Sequence, residues 1–131
     1  MQHHEIRTWH VYLCPKCNAS EPPKDKYVVT VCRRKDTIWG FFINTPDSKF
    51  IRSHPELEKQ QVKIKPDDCR VIRYESNIGC DALKEFYAWE LSKRECALSD
   101  ALKQAILSSI ESSDTLETEK VQIIKDNQDT P

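Results

Sequence analysis

Short apolar or alternating runs, each closed by proline or a cluster of charges, fill most of the chain and predict β-strands. One stretch of helical spacing follows them. Thr8-Trp9-His10-Val11-Tyr12-Leu13 alternates and is rich in β-forming residues, so it reads as a strand ending at the turn-forming Cys14-Pro15-Lys16-Cys17. Residues 14–26 hold three prolines among polar groups and read as a loop. Tyr27-Val28-Val29-Thr30-Val31-Cys32 is a continuous apolar run suited to a central strand, and Arg33-Arg34-Lys35-Asp36 is a charged turn. Thr37 to Asn44 gives a third strand, stopped by Pro46. Short connections make these three an antiparallel meander.

The polar stretch 46–60, with two prolines, reads as an exposed loop. Gln61-Val62-Lys63-Ile64-Lys65 alternates strictly and suits an edge strand, because outward lysines discourage unwanted pairing. After the Pro66-Asp67-Asp68 turn, Cys69 to Tyr74 reads as another short strand. Beyond Asn77-Ile78-Gly79, Glu85 to Leu91 offers a last core strand. Ser99 then looks like a helix N-cap with Asp100 in the first turn, and Leu102, Ala105, Ile106, Ser109 and Ile110 form one apolar stripe. Residues 113–131 are acidic and polar apart from Val121-Gln122-Ile123-Ile124, which predicts a flexible tail or a late strand added to an edge or a partner.

At 131 residues and 15.3 kDa the chain fits one domain, with a barrel and terminal helix over residues 1–112 and the tail beyond. Hydrophobic residues are 38% and charged residues 31%, which predicts a small core that dimerisation would enlarge. No apolar run is long enough to span a membrane, and the polar start does not resemble a secretory signal, so a cytoplasmic location and six reduced thiols are expected. Residues 1–75 carry 14 Lys and Arg against 10 Asp and Glu, whereas residues 76–131 carry 6 against 11. A basic front half suits a polyanion on one surface, although an ordinary solvated surface gives the same count. With only Gly40 and Gly79 present, a P-loop or Rossmann phosphate loop is excluded.

Cys14-Pro15-Lys16-Cys17 has the spacing of a zinc knuckle, but no second pair of ligands follows in sequence. Zinc would need His3, His4, His10, a distant cysteine or a second chain to complete the site. A redox dithiol and an inert proline turn are the other readings; the missing helix after the motif argues against a lowered thiol pKa.

The order of elements is more informative than any single motif. Five or six short strands, a polar loop after the first and one late helix describe an α+β, mainly β, small SH3-like antiparallel barrel with a C-terminal helix. Four stretches carry a resemblance: Pro23-Lys24-Asp25-Lys26 leading into Tyr27 to Val31, Ile43-Asn44-Thr45-Pro46, Gly79-Cys80-Asp81-Ala82 leading into Phe86-Tyr87-Ala88-Trp89, and the helix from Ser99 to Ile110. In these the sequence resembles the PemK/MazF family of toxin ribonucleases, over roughly residues 8–112.

The resemblance implies cleavage of single-stranded RNA without a metal, by attack of a ribose 2′-hydroxyl on the neighbouring phosphate. It also implies a homodimer silenced by an antitoxin protein, and no cofactor. Carried over by position, Lys26 falls where the family has an arginine, Thr45 where it has a threonine, and Asp81 where some members have an aspartate. Lys24, Arg33 and Arg73 are the further cations expected to hold RNA. The sequence departs from the family in two places, with lysine at position 26 and Gly79 where some members have a second arginine. Lysine keeps the charge but loses the two-pronged grip on phosphate.

Read without the resemblance, 24–26 is a solvated loop, Thr45 ends a strand, Asp81 caps a turn and the three tryptophans are core aromatics. The rival function is then a non-catalytic barrel that binds a nucleic acid or a protein partner, with Cys14 and Cys17 as a structural clip.

Overall fold

The apolar runs pair into one antiparallel sheet. The structure, a computed structural model, describes residues 2–44 and 59–127. Its strands are β1 (His10–Cys17), β2 (Lys24–Arg33), β3 (Ile38–Asn44), β4 (Gln61–Ile64), β5 (Ser76–Gly79), β6 (Lys84–Phe86) and β7 (Lys93–Ala97). They run in the order β4-β5-β3-β2-β1-β7, with β6 also paired to β3. β3 gives its last residues, Ile43 and Asn44, to β5 and its first, Ile38 to Gly40, to β6, so the sheet parts along β3 and curls into a half-barrel.

The middles of the central strands are apolar because both faces are covered there. Val11, Val29, Val31, Phe41 and Ile43 face a larger core with Ile64, Ile78, Leu102, Ile106 and Ile110. Tyr12, Val28, Ile38 and Phe42 face a smaller one with Ile6, Cys14, Cys17, Phe86, Ala88 and Leu91. Helix α1 (Asp100–Glu111) closes the larger core, and the Ser99 hydroxyl accepts a hydrogen bond from the Leu102 N–H at 3.2 Å, as the cap pattern predicts.

Several expectations need correction. Cys69 to Tyr74 forms turns rather than a strand; Cys69 and Ile72 are buried in the larger core without ladder pairing. Residues 88–90 make a single 3-10 turn where the end of a strand was expected, and the strand appears later as β7. Cys69 and Cys96 form a disulfide joining the 66–70 turns to β7, where reduced thiols were expected. The two positions meet only through the fold. Residues 118–126, expected as a flexible tail or a late strand, form helix α2 (Thr118–Asp126). Its Ile124 is fully buried in the larger core, which anchors a segment whose acidic composition suggested solvent. Among the described residues no helix is long and apolar enough to cross a membrane.

Candidate active site

Lys26 lies near the start of β2, opposite Cys14 of β1, and Lys24 lies opposite Cys17. Between the two pairs β1 bulges, with Lys16 in the left-handed region at φ 42° and its N–H bonded to the Asp25 carboxylate at 2.9 Å. Pairing resumes beyond the bulge only at Cys17 and Lys24, and the lysine end of β2 lies on two adjoining concavities. One, of about 510 Å³, is lined by Lys24, Lys26, Tyr27, Asn44, Arg73 and Tyr74 among others. The second, of about 380 Å³, shares Lys24, Lys26 and Asn44 and adds Phe42, Asp81 and Lys84.

The half-buried Lys26 ammonium donates to Asn44 Oδ1 at 2.7 Å and sits 4.9 Å from the Phe42 ring centroid. Lys84 lies over the same ring at 5.8 Å. Burial first, and the charge of Lys24 second, pull the Lys26 pKa below the ordinary lysine value, against a smaller opposite effect of Cys17. Such an ammonium gives up its proton more readily than a solvated one.

Asp81 follows β5. Gln61 Nε2 donates to Asp81 Oδ1 at 2.8 Å. The hydroxyl of Thr115, in the α1–α2 connection, lies 2.9 Å from the Asp81 carbonyl and 2.7 Å from Gln60 Oε1, so the segment expected to be a free tail props the turn that carries this carboxylate. Gly79 joins the two halves of the site. A β-carbon there would lie 3.0 Å from Asn44 Nδ2 and 3.4 Å from Asp81 Oδ1. The glycine, in the position where a second arginine was considered, thus lets the Lys26–Asn44 pair and Asp81 flank one bare stretch of backbone.

Lys24 and Lys26 thus line both adjoining concavities, with Arg73 in the first and Asp81 in the second, and together these form the candidate groove. Arg33 does not join it: it ends β2, on a separate cavity with Arg7 and Arg94. Thr45 lies outside the described residues. The sequence reading passed over Asn44, Lys84, Gln61 and Thr115, which are spread over four segments and share no motif.

Cys14 and Cys17 are almost wholly buried behind the lysines. Among the described residues no group of three or more histidines, cysteines or acids is gathered for a metal, so Cys14 and Cys17 would need ligands from a second chain to complete a four-ligand zinc site. Burial, then the contact with Cys17, push the Cys14 thiol up, opposite to the lowered pKa of a reactive dithiol. Trp9 and Trp39 are core residues as expected, but Trp89 is 69% exposed and stacks on Tyr87, their ring planes 6° apart.

No protein-family model and no curated protein matches the sequence. Solved structures do match in shape. The Mycobacterium tuberculosis toxin MazF-mt6 is similar with a TM-score of 0.61 at 12% identity, over 82% of this chain and 98% of that one. An endoribonuclease in complex with its cognate antitoxin, from a mycobacterial species, gives 0.61 at 14% identity, over 86% and 97%. A further M. tuberculosis (Mtb) toxin gives 0.53 at 13%, over 67% and 91%. The half-barrel with its late helices is thus the fold of the MazF toxins.

Proposed function

We propose that this chain is a toxin-like endoribonuclease that cuts single-stranded RNA without a metal. The observation that carries the reading is the joining of Lys26, Asn44 and Asp81 around Gly79, in a concavity that also holds Lys24 and Lys84 and adjoins the one lined by Arg73. The cations hold the RNA backbone. The Asp81 carboxylate takes the proton of a ribose 2′-hydroxyl, the 2′-oxygen bonds to the adjacent phosphorus, and the bond from phosphorus to the 5′-oxygen breaks. The Lys26 ammonium offsets the charge on the five-coordinate phosphorus and gives its proton to the leaving 5′-oxygen. Thr45 completes the proposed catalytic set. The products are a 2′,3′-cyclic phosphate and a free 5′-hydroxyl.

The fold and the cationic groove also support an antitoxin partner whose acidic segment covers the groove, and a homodimer that enlarges the small core. Purified protein is expected to cut single-stranded RNA in excess chelator and leave those ends. Asp81→Asn is expected to lower the rate by about 10²–10⁴-fold. Cleavage that appears only when a divalent metal is added overturns the mechanism. One observation favours the rival binding module: lysine stands where the family's arginine is expected. RNA binding with no scission under any condition selects that module.

Gly79→Ala separates the joint of the site from the fold. The added carbon meets the movable end of Asn44 rather than backbone, so Asn44 shifts by a few tenths of an ångström and slackens its hold on Lys26. RNA cleavage is expected to fall by about ten-fold, while stability changes by less than about 1 kcal/mol. An unchanged rate would separate Gly79 from the chemistry.

A further inference from the structure

The far end of β2 carries a second concentration of positive charge. A cavity of about 590 Å³ there is lined by His4, Glu5, Arg7, Arg33 and Arg94. Three guanidinium groups converge from three separate segments: the N-terminal stretch, the end of β2 and strand β7. The fold fixes the Arg33 guanidinium and the backbone positions of the other two. Arg33 Nη1 donates to the carbonyls of His4 and Ile6, both at 3.2 Å, which ties the N-terminal segment to β2. The Arg7 backbone is held from both sides, its N–H donating to the buried Tyr12 hydroxyl at 3.0 Å and its carbonyl accepting from the buried Thr30 hydroxyl at 2.6 Å. Arg94 is the cross-strand partner of Tyr12, which brings it to the same side.

Little negative charge answers this cluster. None of the ion pairs between described residues includes Arg7, Arg33 or Arg94. Glu5 is the one acid in the lining, and its carboxylate already accepts the Gln2 N–H at 2.8 Å. The neighbouring His10 registers the field: burial first, then the charges of Arg94 and Arg7, hold its imidazole below its ordinary pKa. Guanidinium groups offer forked donors matched to phosphate oxygens, and Arg33 spends only one nitrogen on the two carbonyls.

We infer that Arg7, Arg33 and Arg94 form a second phosphate site that holds the backbone of the RNA strand whose scissile bond lies at Lys26. The inference rests on the ribonuclease reading for the identity of its ligand. β2 runs 10 residues from Lys24 to Arg33, about 30 Å at the usual rise of a strand, so a single strand of several nucleotides reaches from one site to the other. Such a site raises affinity for long RNA without touching the reacting atoms.

The test uses the exposed pair, Arg7→Ala with Arg94→Ala, whose guanidinium groups make no hydrogen bond to a described residue. Binding of labelled single-stranded polyuridine is followed by anisotropy across a salt series. Each phosphate contact on a single strand contributes about 0.7 to the slope of log K against log salt, so the double variant should lose about 1.4 of that slope and bind about ten-fold more weakly. Arg7→Lys with Arg94→Lys should keep the slope, because charge is retained. Cleavage of an RNA too short to leave the Lys26 groove should proceed at the wild-type kcat in both variants.

An unchanged slope in the alanine variant overturns the inference, even where the wild type cleaves RNA. So does RNA binding insensitive to the variant together with arginine-dependent capture of a polyglutamate peptide, which would make this a protein-docking site. Loss of slope in a protein that never cuts RNA upholds the phosphate site and removes the ribonuclease reading instead.

Discussion

Lys26→Met is expected to lower RNA cleavage by about 10²–10³-fold, the usual consequence of removing one donor aimed at developing charge. Methionine keeps the stem against Phe42 and removes the ammonium, so the loss belongs to the charge and its proton rather than to packing. The pH profile supplies the sharper test. In the proposed chemistry the protonated amine is the active form, and its pKa lies below that of a free lysine because it is part-buried beside Lys24. The rate should therefore decline as pH rises through that lowered value, earlier than an ordinary lysine would allow. Lys26→Arg is the control, because guanidinium does not deprotonate in the accessible range. It should retain part of the activity and carry no such alkaline decline. The same decline in the arginine variant would assign it to another group and remove Lys26 from the proton transfer. The opposite sign, a rate that climbs through the lowered pKa, would make the neutral amine the base and exchange the roles of Lys26 and Asp81.

The sequence disclosed those parts of the molecule in which local pattern and tertiary demand agree. Tyr27 to Cys32 and Ile38 to Asn44 are apolar because β2 and β3 are covered on both faces, and Ser99 announces α1 because the orphan N–H of Leu102 needs an acceptor. Where the two disagree the pattern misleads. Ser76-Asn77-Ile78-Gly79 contains turn-forming residues, yet it is a fully buried strand because it is clamped between β3 and β4. Lys93 to Ala97 is charged, as suits the outer strand of the sheet, and so lacks the alternation that marks a half-buried strand. Cys69 to Tyr74 has strand-forming residues but joins no ladder, and it bends instead, its Cys69 tied to β7 by the disulfide. Helix α2 shows few apolar positions, but one of them, Ile124, is fully buried, and tertiary packing of that kind outweighs a weak local signal.

The candidate site divides along the same line. Lys24, Lys26, Arg73 and Asp81 could be marked as chemistry-bearing types, whereas their assembly depends on pairing at a distance: Asn44 reaches Lys26 across the β2–β3 ladder, and Gln61 reaches Asp81 across the β4–β5 hairpin. Arg33 shows the limit of charge alone. It shares a strand with Lys26 and stands at its opposite end, beside two other arginines rather than in the groove.

Gly40→Ala is expected to be among the most destabilising single-methyl additions in the chain. Gly40 sits in β3 opposite Thr30 of β2, beside the bulge that interrupts the register between Thr30 and Cys32. An added β-carbon would lie 2.7 Å from Val28 Cγ1 and 2.7 Å from the Val29 carbonyl oxygen. The valine methyl has little room, because its side chain is fully buried in the smaller core. The carbonyl belongs to the backbone of the central strand and moves only if the ladder to β1 or β3 opens. Overpacking of this kind costs about 1–3 kcal/mol, and a backbone atom in the clash argues for the upper part of that range. For a chain of this size about 3 kcal/mol corresponds to a fall in Tm of roughly 10 °C. Thermal denaturation followed by circular dichroism measures it directly. A fall below about 2 °C would mean that β2 and β3 separate here without cost, contrary to the close approach in the structure. The contrast with Gly79→Ala makes the pair informative. The chain has two glycines: at Gly79 a methyl group meets the free end of a side chain and should act on cleavage, whereas at Gly40 it meets a backbone oxygen and should act on the fold.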